Sequence, residues 1–158
     1  MPNVISDAAL TGELAGLIDC LRTSGYGRVA SGIDKALEGF IEEFADLLSK
    51  HLLYEEEVLF PALREAAPDK ADEVVGLVCE HKDLRRRALE LAQDVKAGDR
   101  AGACAMGREF LAALFSHVHR EEEVTRRITE GLTGNAAFRL KARLEREETA
   151  PGPDELCA

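Results

Sequence analysis

His51-Leu52-Leu53-Tyr54-Glu55-Glu56-Glu57-Val58 sets an imidazole and a carboxylate four positions apart inside an apolar repeat, and a near copy returns as His117-Val118-His119-Arg120-Glu121-Glu122-Glu123-Val124. On a helix, positions i and i+4 stack on one face, so His51 with Glu55, and His117 with Glu121, can each grip one metal ion. Mixed imidazole and carboxylate ligation suits iron and manganese, and also zinc, so ligand type alone leaves the metal open.

Both pairs are in phase with the helices that must carry them. A stripe of Ile33, Leu37, Phe40, Ile41, Phe44, Leu47 and Leu48 runs on through His51, Glu55 and Val58 at helical periodicity, so the pair continues a buried seam rather than the polar side. Met106, Phe110, Leu114, His117, Glu121, Val124 and Ile128 repeat the pattern on a later helix. The helix before it carries Val74, Leu77, Val78, His81, Leu84, Ala88, Leu91 and Val95, with His81 on the seam. A lone histidine on such a stripe is more often a hydrogen-bonded core residue than a ligand. Three histidines and two glutamates, each in phase with its own seam, favour a metal centre, because an interior carboxylate needs a cation or a proton. His119, about 200° around the helix from His117, faces out. Glu56, Glu57, Glu122 and Glu123 read as solvated faces, and Tyr54 as an aromatic at the bundle edge.

The punctuation of the chain places these seams. Ser6 and Asp7 are N-caps for a first helix with the stripe Leu10, Leu14, Leu17 and Leu21, ended by Ser24-Gly25. Ser31 and Asp34 open a long second helix, which Pro61 is expected to kink or end. Pro68-Asp69 begins the third helix and Gly98 closes it, Asp99 caps the fourth, and Gly131 to Asn135 separates that helix from a short charged fifth reaching about Glu148. The offset from His81 to His117 repeats, within one residue, the offset from position 14 to His51, so the chain reads as two helix pairs in tandem. Short connections between long helices favour antiparallel neighbours. The expectation is an all-α fold: an up-down-up-down antiparallel four-helix bundle with a short fifth C-terminal helix, one domain over residues 1–148 and a disordered tail over residues 149–158.

At 158 residues the chain can bury roughly 70% of its unfolded surface in a single core. With 46% apolar and only 5% aromatic residues and no Trp, that core should be aliphatic. A net charge of -10 argues against nucleic acid or an anionic membrane as partner, since either needs clustered Lys and Arg. Met1 to Asp7 has neither a basic run nor an apolar h-region, and no stretch approaches the roughly 18 apolar residues of a membrane span, so a cytoplasmic location is expected. Cys20, Cys79, Cys104 and Cys157 form no Cys-x-x-Cys pair. The first three, within predicted helices, read as small buried fillers, and Cys157 carries no functional weight.

Taken together, these motifs resemble the hemerythrin family, in particular its HHE cation-binding branch, over about residues 7–130. His51 and Glu55 followed by Leu59-Phe60-Pro61 match the family's helix-two pattern, Glu80-His81 matches helix three, and His117 with Glu121 matches helix four. The resemblance implies a non-haem di-iron centre held by His51, Glu55, His81, His117 and Glu121, with carboxylates bridging the metals and a small diatomic ligand such as dioxygen as partner. Iron rests on the resemblance alone, and mononuclear iron, manganese and zinc stay open.

One departure from the family pattern matters most. The family places a histidine on helix one, and the repeat puts that position at Leu14, which cannot bind a metal. Glu13, one position back and rotated about 100° around the helix, is the possible substitute ligand. Helix three carries a single histidine, and no aromatic-Pro run follows Glu123. A metal near helix one would then be undercoordinated, weakly held or completed by water, and Leu14→His would restore the missing ligand. Three functions remain open: a binding or sensing protein for dioxygen, a related small ligand or iron availability; an enzyme acting on peroxide, dioxygen or nitric oxide; and a metal-poor bundle acting through protein contacts. The first leads, because the sequence has no phosphate-cradling Gly loop, no nucleophile paired with a base and no organic-cofactor fingerprint.

Overall fold

Ser6 starts the first helix: its Oγ accepts the Ala9 N–H at 3.3 Å, leaving Asp7 as the first residue of α1 (Asp7–Thr23) with its carboxylate directed elsewhere. The computed structural model describes residues 6–23 and 31–149, with side chains described over 6–23 and 35–145. The Gly-bearing loop, the tail with Cys157 and the Ile33 side chain lie outside the described residues. Leu10, Leu14, Leu17 and Leu21 are buried as their spacing requires.

The second helix, α2 (Ser31–Tyr54), does not stop at the proline. It widens into a π turn (Glu55–Leu59) and continues as α3 (Phe60–Ala66). Pro61 has no N–H to donate to the preceding turn, and the Phe60 N–H bonds to the Glu55 carbonyl five residues back, so the turn takes up an extra residue where the ladder is interrupted. As a result Glu55 and Phe60 are both buried, whereas Val58, expected on the seam, is only half-buried.

A short 3-10 turn (Pro68–Lys70) leads into α4 (Ala71–Ala97). Gly98, at φ +71°, closes α4 in the left-handed conformation, with its N–H on the Asp94 and Val95 carbonyls. Asp99 then caps α5 (Arg100–Gly131) by accepting the Gly102 N–H at 2.9 Å. The last helix, α6 (Asn135–Thr149), packs on α3 through buried Leu140 and an Arg143–Glu65 ion pair.

Both α1 and α4 pack beside α2 and α5, so the four long helices form the expected ring, with α6 as the fifth, C-terminal helix. Gly107 lets α5 approach α1 closely, since a Cβ there would stand 2.9 Å from Ile18 Cγ1. Among the described residues, no helix is long and apolar enough to cross a membrane. The expectation that the helical cysteines are buried fillers is corrected. Cys20 and Cys79 are exposed and Cys104 is half-buried; Cys20 sits one residue before the seam position Leu21, and Cys79 sits between Leu77 and His81, off the stripe.

The core is divided, and the division positions the site. One cluster contains Leu10, Leu14, Leu48, Leu52, Leu84 and Leu114, with Phe44 edge-on to Phe110 at 5.8 Å. A second contains Phe60, Leu63, Leu77, Val124 and Ile128. His51 and Glu55 fall between Leu48 and Phe60, His81 between Leu77 and Leu84, and His117 and Glu121 between Leu114 and Val124. A polar layer therefore crosses the bundle with apolar packing above and below it. On α1 that level coincides with the helix start at Asp7.

Candidate metal centre

Six side chains on the four long helices and the π turn converge in this layer. His51 Nε2 is 2.8 Å from both Asp7 Oδ1 and Glu55 Oε1. The other oxygen of Glu55, Oε2, is 3.1 Å from His81 Nε2 and 4.0 Å from His117 Nε2. His117 Nε2 in turn lies 3.4 Å from Glu121 Oε2 and 3.2 Å from His81 Nε2. Among the described residues, two groups could each hold a metal ion, Glu55 with His81, His117 and Glu121, and Asp7 with His51 and Glu55, with the ligand atoms of each within 4.8 Å of one another. Glu55 belongs to both. All except Asp7 are buried; the Asp7 side chain is 26% exposed and marks the solvent edge.

The structure thus brings His51, Glu55, His81, His117 and Glu121 together as their seams require. Glu13 stands apart: it is exposed, lines a surface hollow with Phe40, Glu43 and Leu47, and belongs to neither group. Asp7 takes the place reserved for it. The repeat put the helix-one ligand at position 14, but Leu14 is fully buried in the larger apolar cluster, two turns or about 10 Å along the helix from Asp7. A signal was present, since Asp7, Leu10, Leu14, Leu17 and Leu21 run at alternating spacings of three and four. Asp7 opens the stripe but, sitting in the first turn, reads equally well as a cap. The consequence for Leu14→His is reversed. It is expected to add no metal and to cost about 2–4 kcal/mol by burying an unpartnered imidazole in place of an aliphatic side chain, checked by urea unfolding and metal analysis.

Two further carboxylates were missed. Glu56 Oε1 lies 2.8 Å from His81 Nδ1, so Glu56 is no simple solvated face, and Glu80 Oε2 lies 2.9 Å from His117 Nδ1. Glu57, Glu122, Glu123 and His119 are exposed, as expected.

The donor set fits a cation. With Nδ1–H of His81 and of His117 donated to Glu56 and Glu80, both Nε2 atoms direct lone pairs inward, and these face one another at 3.2 Å. Only a proton or a metal ion relieves that opposition. His51 Nδ1, Glu55 Oε2 and Glu121 Oε2 are buried without completed hydrogen bonds, although the two oxygens lie 3.1 Å and 3.4 Å from imidazole nitrogens. Donors sharing one metal at about 2.1 Å stand roughly 3 Å apart, the spacing seen here.

Without metal, protons take the cation's place. Burial opposes charge on His51, but hydrogen bonds to Asp7 and Glu55 outweigh it and raise its pKa to about 10. Burial likewise opposes charge on His117, and Glu121, Glu55 and Glu80 raise it to about 10. Burial would raise Glu55, yet His117, His51 and His81 hold it well below the usual carboxylate range. Glu121 is pushed up to about 7 by its burial, against its bond to His117 and aided by the charges of Glu55 and Asp7.

Residues 8–126 match the family model of the Hemerythrin HHE cation binding domain, which covers most of the chain, and the protein belongs to that family. Asp7 lies one residue before the matched span. No curated protein and no solved structure matches the chain.

Proposed function

We propose that this HHE-domain protein holds a non-haem di-iron centre bridged by Glu55 and uses it to bind or sense dioxygen or a related small ligand. The supporting observation is the double use of Glu55, which turns Oε1 to the Asp7–His51 group and Oε2 to the His81–His117–Glu121 group. A carboxylate with one oxygen toward each of two ligand sets is arranged as a bridge. Iron follows from the family resemblance and is compatible with the mixed nitrogen and oxygen donors. When bound, iron would supply open coordination positions and a reversible redox change, because four donors in one group and three in the other fall short of six.

A second reading, an enzyme acting on peroxide, dioxygen or nitric oxide, is favoured by the Asp7 edge. There the donor count is lowest and the side chain reaches solvent. The metal-poor bundle has less support, since it leaves the buried oxygens of Glu55 and Glu121 without completed hydrogen bonds.

The test is elemental analysis of protein produced with ample iron, with absorption spectra recorded anaerobically and in air. Both positions filled, and a spectrum that responds to air, are expected of the wild type. Rapid consumption of added peroxide would move the reading to the enzyme. Asp7→Asn is expected to lose the metal at the solvent edge and keep the other. A wild-type chain holding a single iron, unaffected by Asp7→Asn, would remove the di-iron reading.

A further inference from the structure

Two of the three histidines in the centre are served by the same device, which the third lacks. On α4, Arg85 stands one turn after His81, and its guanidinium donates in a fork to Glu56, at 2.7 Å to Oε1 and 3.1 Å to Oε2, while Glu56 Oε1 lies 2.8 Å from His81 Nδ1. On α5, Arg120 stands one turn after His117, and its Nη1 donates to Glu80 Oε1, while Glu80 Oε2 lies 2.9 Å from His117 Nδ1. In both cases the glutamate comes from an earlier element and adjoins one of that element's own centre residues, Glu56 after Glu55 and Glu80 before His81. Each histidine and arginine of one helix therefore brackets a glutamate of its neighbour.

The backbone makes room for the second relay. A Cβ on Gly76, one turn before Glu80, would stand 2.9 Å from Arg120 Nη2, so the absent side chain leaves the guanidinium its path across α4 to Glu80. Among the described residues His51 has no counterpart, and its Nδ1 is buried without a hydrogen-bond partner there.

We infer that Glu56 and Glu80, each clamped by an arginine of the helix whose histidine it serves, are positioning residues that hold His81 and His117 with Nδ1–H outward and Nε2 inward for one shared cation. This rests on the proposed metal centre and adds to it which protein groups prepare one half before metal arrives. A carboxylate on the outer nitrogen fixes the tautomer and the ring plane of a ligating imidazole and raises its basicity. Arginine suits the outer position because its planar fork holds a carboxylate in one orientation and stays charged. The two relays make the Glu55–His81–His117–Glu121 half the prepared one, and the Asp7–His51 half the adaptable one.

The experiment uses Zn2+ as probe with the full chain, measuring affinity by competition with a chromophoric chelator and the protonation of each imidazole nitrogen by long-range 1H–15N spectra of the metal-free protein. Glu56→Ala and Glu80→Ala are each expected to weaken Zn2+ binding by about 10–100-fold. Glu56→Ala should disturb the tautomer signal of His81 alone, and Glu80→Ala that of His117 alone. Glu80→Gln, which keeps an acceptor in place, should recover part of the loss. Gly76→Val, which touches neither carboxylate nor histidine, should reproduce a weaker form of the Glu80→Ala effect, and it serves in its place if that variant does not fold. A merely structural role would lower the melting temperature of the metal-free variants while leaving affinity and tautomers unchanged, and that result overturns the inference. Failure of the metal-centre reading shows differently: the wild type takes up no Zn2+, which overturns both.

Discussion

Glu55→Ala is expected to empty both metal positions at once, whereas any other single ligand substitution leaves one of them populated. The reason is connectivity, since Glu55 is the only side chain common to the two ligand groups. His81→Ala and His117→Ala remove one donor from the four-donor group and leave the Asp7–His51–Glu55 set intact. The variant should also suffer without metal. Glu55 contacts all three imidazoles, at 2.8 Å, 3.1 Å and 4.0 Å, and it is one of the partners that keeps His51 and His117 charged. Deleting it leaves a buried cluster of imidazoles with less compensation, and removing one partner of a buried ionic pair costs about 3–5 kcal/mol. Elemental analysis of both histidine variants beside Glu55→Ala, with urea unfolding of the metal-free forms, separates the two effects. Metal retained by Glu55→Ala at the level of His81→Ala would show that Glu55 is not shared.

The same connectivity explains which residues could be read from sequence. His51, Glu55, His81, His117 and Glu121 each interrupt a long apolar stripe without leaving its phase, and a buried polar residue in phase is the clearest sign a helical sequence can give. Asp7 is the first residue of α1, which begins at the level of the centre, and a first-turn acid is equally well explained by capping or the helix dipole. The tandem repeat misplaced it for the same reason. It aligned helix one by chain offset, while the level of the centre on α1 is set by where the helix starts.

Glu56 and Glu80 were illegible for another reason. Each serves a histidine on a different helix, and spacing along one chain segment says nothing of which neighbour a partly exposed acid will meet. Pro61 marked the place where the second helix changes. It could not reveal that the change is a π turn beginning on Glu55, the residue both ligand groups share.

The metal-free protein is expected to lose stability with rising pH where the metal-loaded protein does not. In the metal-free chain, His51 and His117 are raised from 6.5 to about 10, so the stability they contribute is complete below pH 6.5 and is lost as pH climbs through about 10. Glu121, raised from 4.5 to about 7, acts in the same sense at lower pH, contributing fully below 4.5 and nothing once pH passes about 7. Glu55, lowered, contributes above 4.5 and loses its share only in acid. The metal-free melting temperature should therefore fall steadily as pH rises from about 6 to about 9. In the loaded protein the cation stands where those protons were, so binding must expel them, and affinity grows as pH rises toward the folded-state pKa values. The gap between the two melting temperatures should widen over the same range. Titrating metal into weakly buffered protein at neutral pH should release protons, fewer in His51→Ala, which has lost one of the two raised imidazoles. Parallel pH profiles for the two forms, or binding without proton release, would mean that the cation does not occupy the space between these carboxylates and imidazoles.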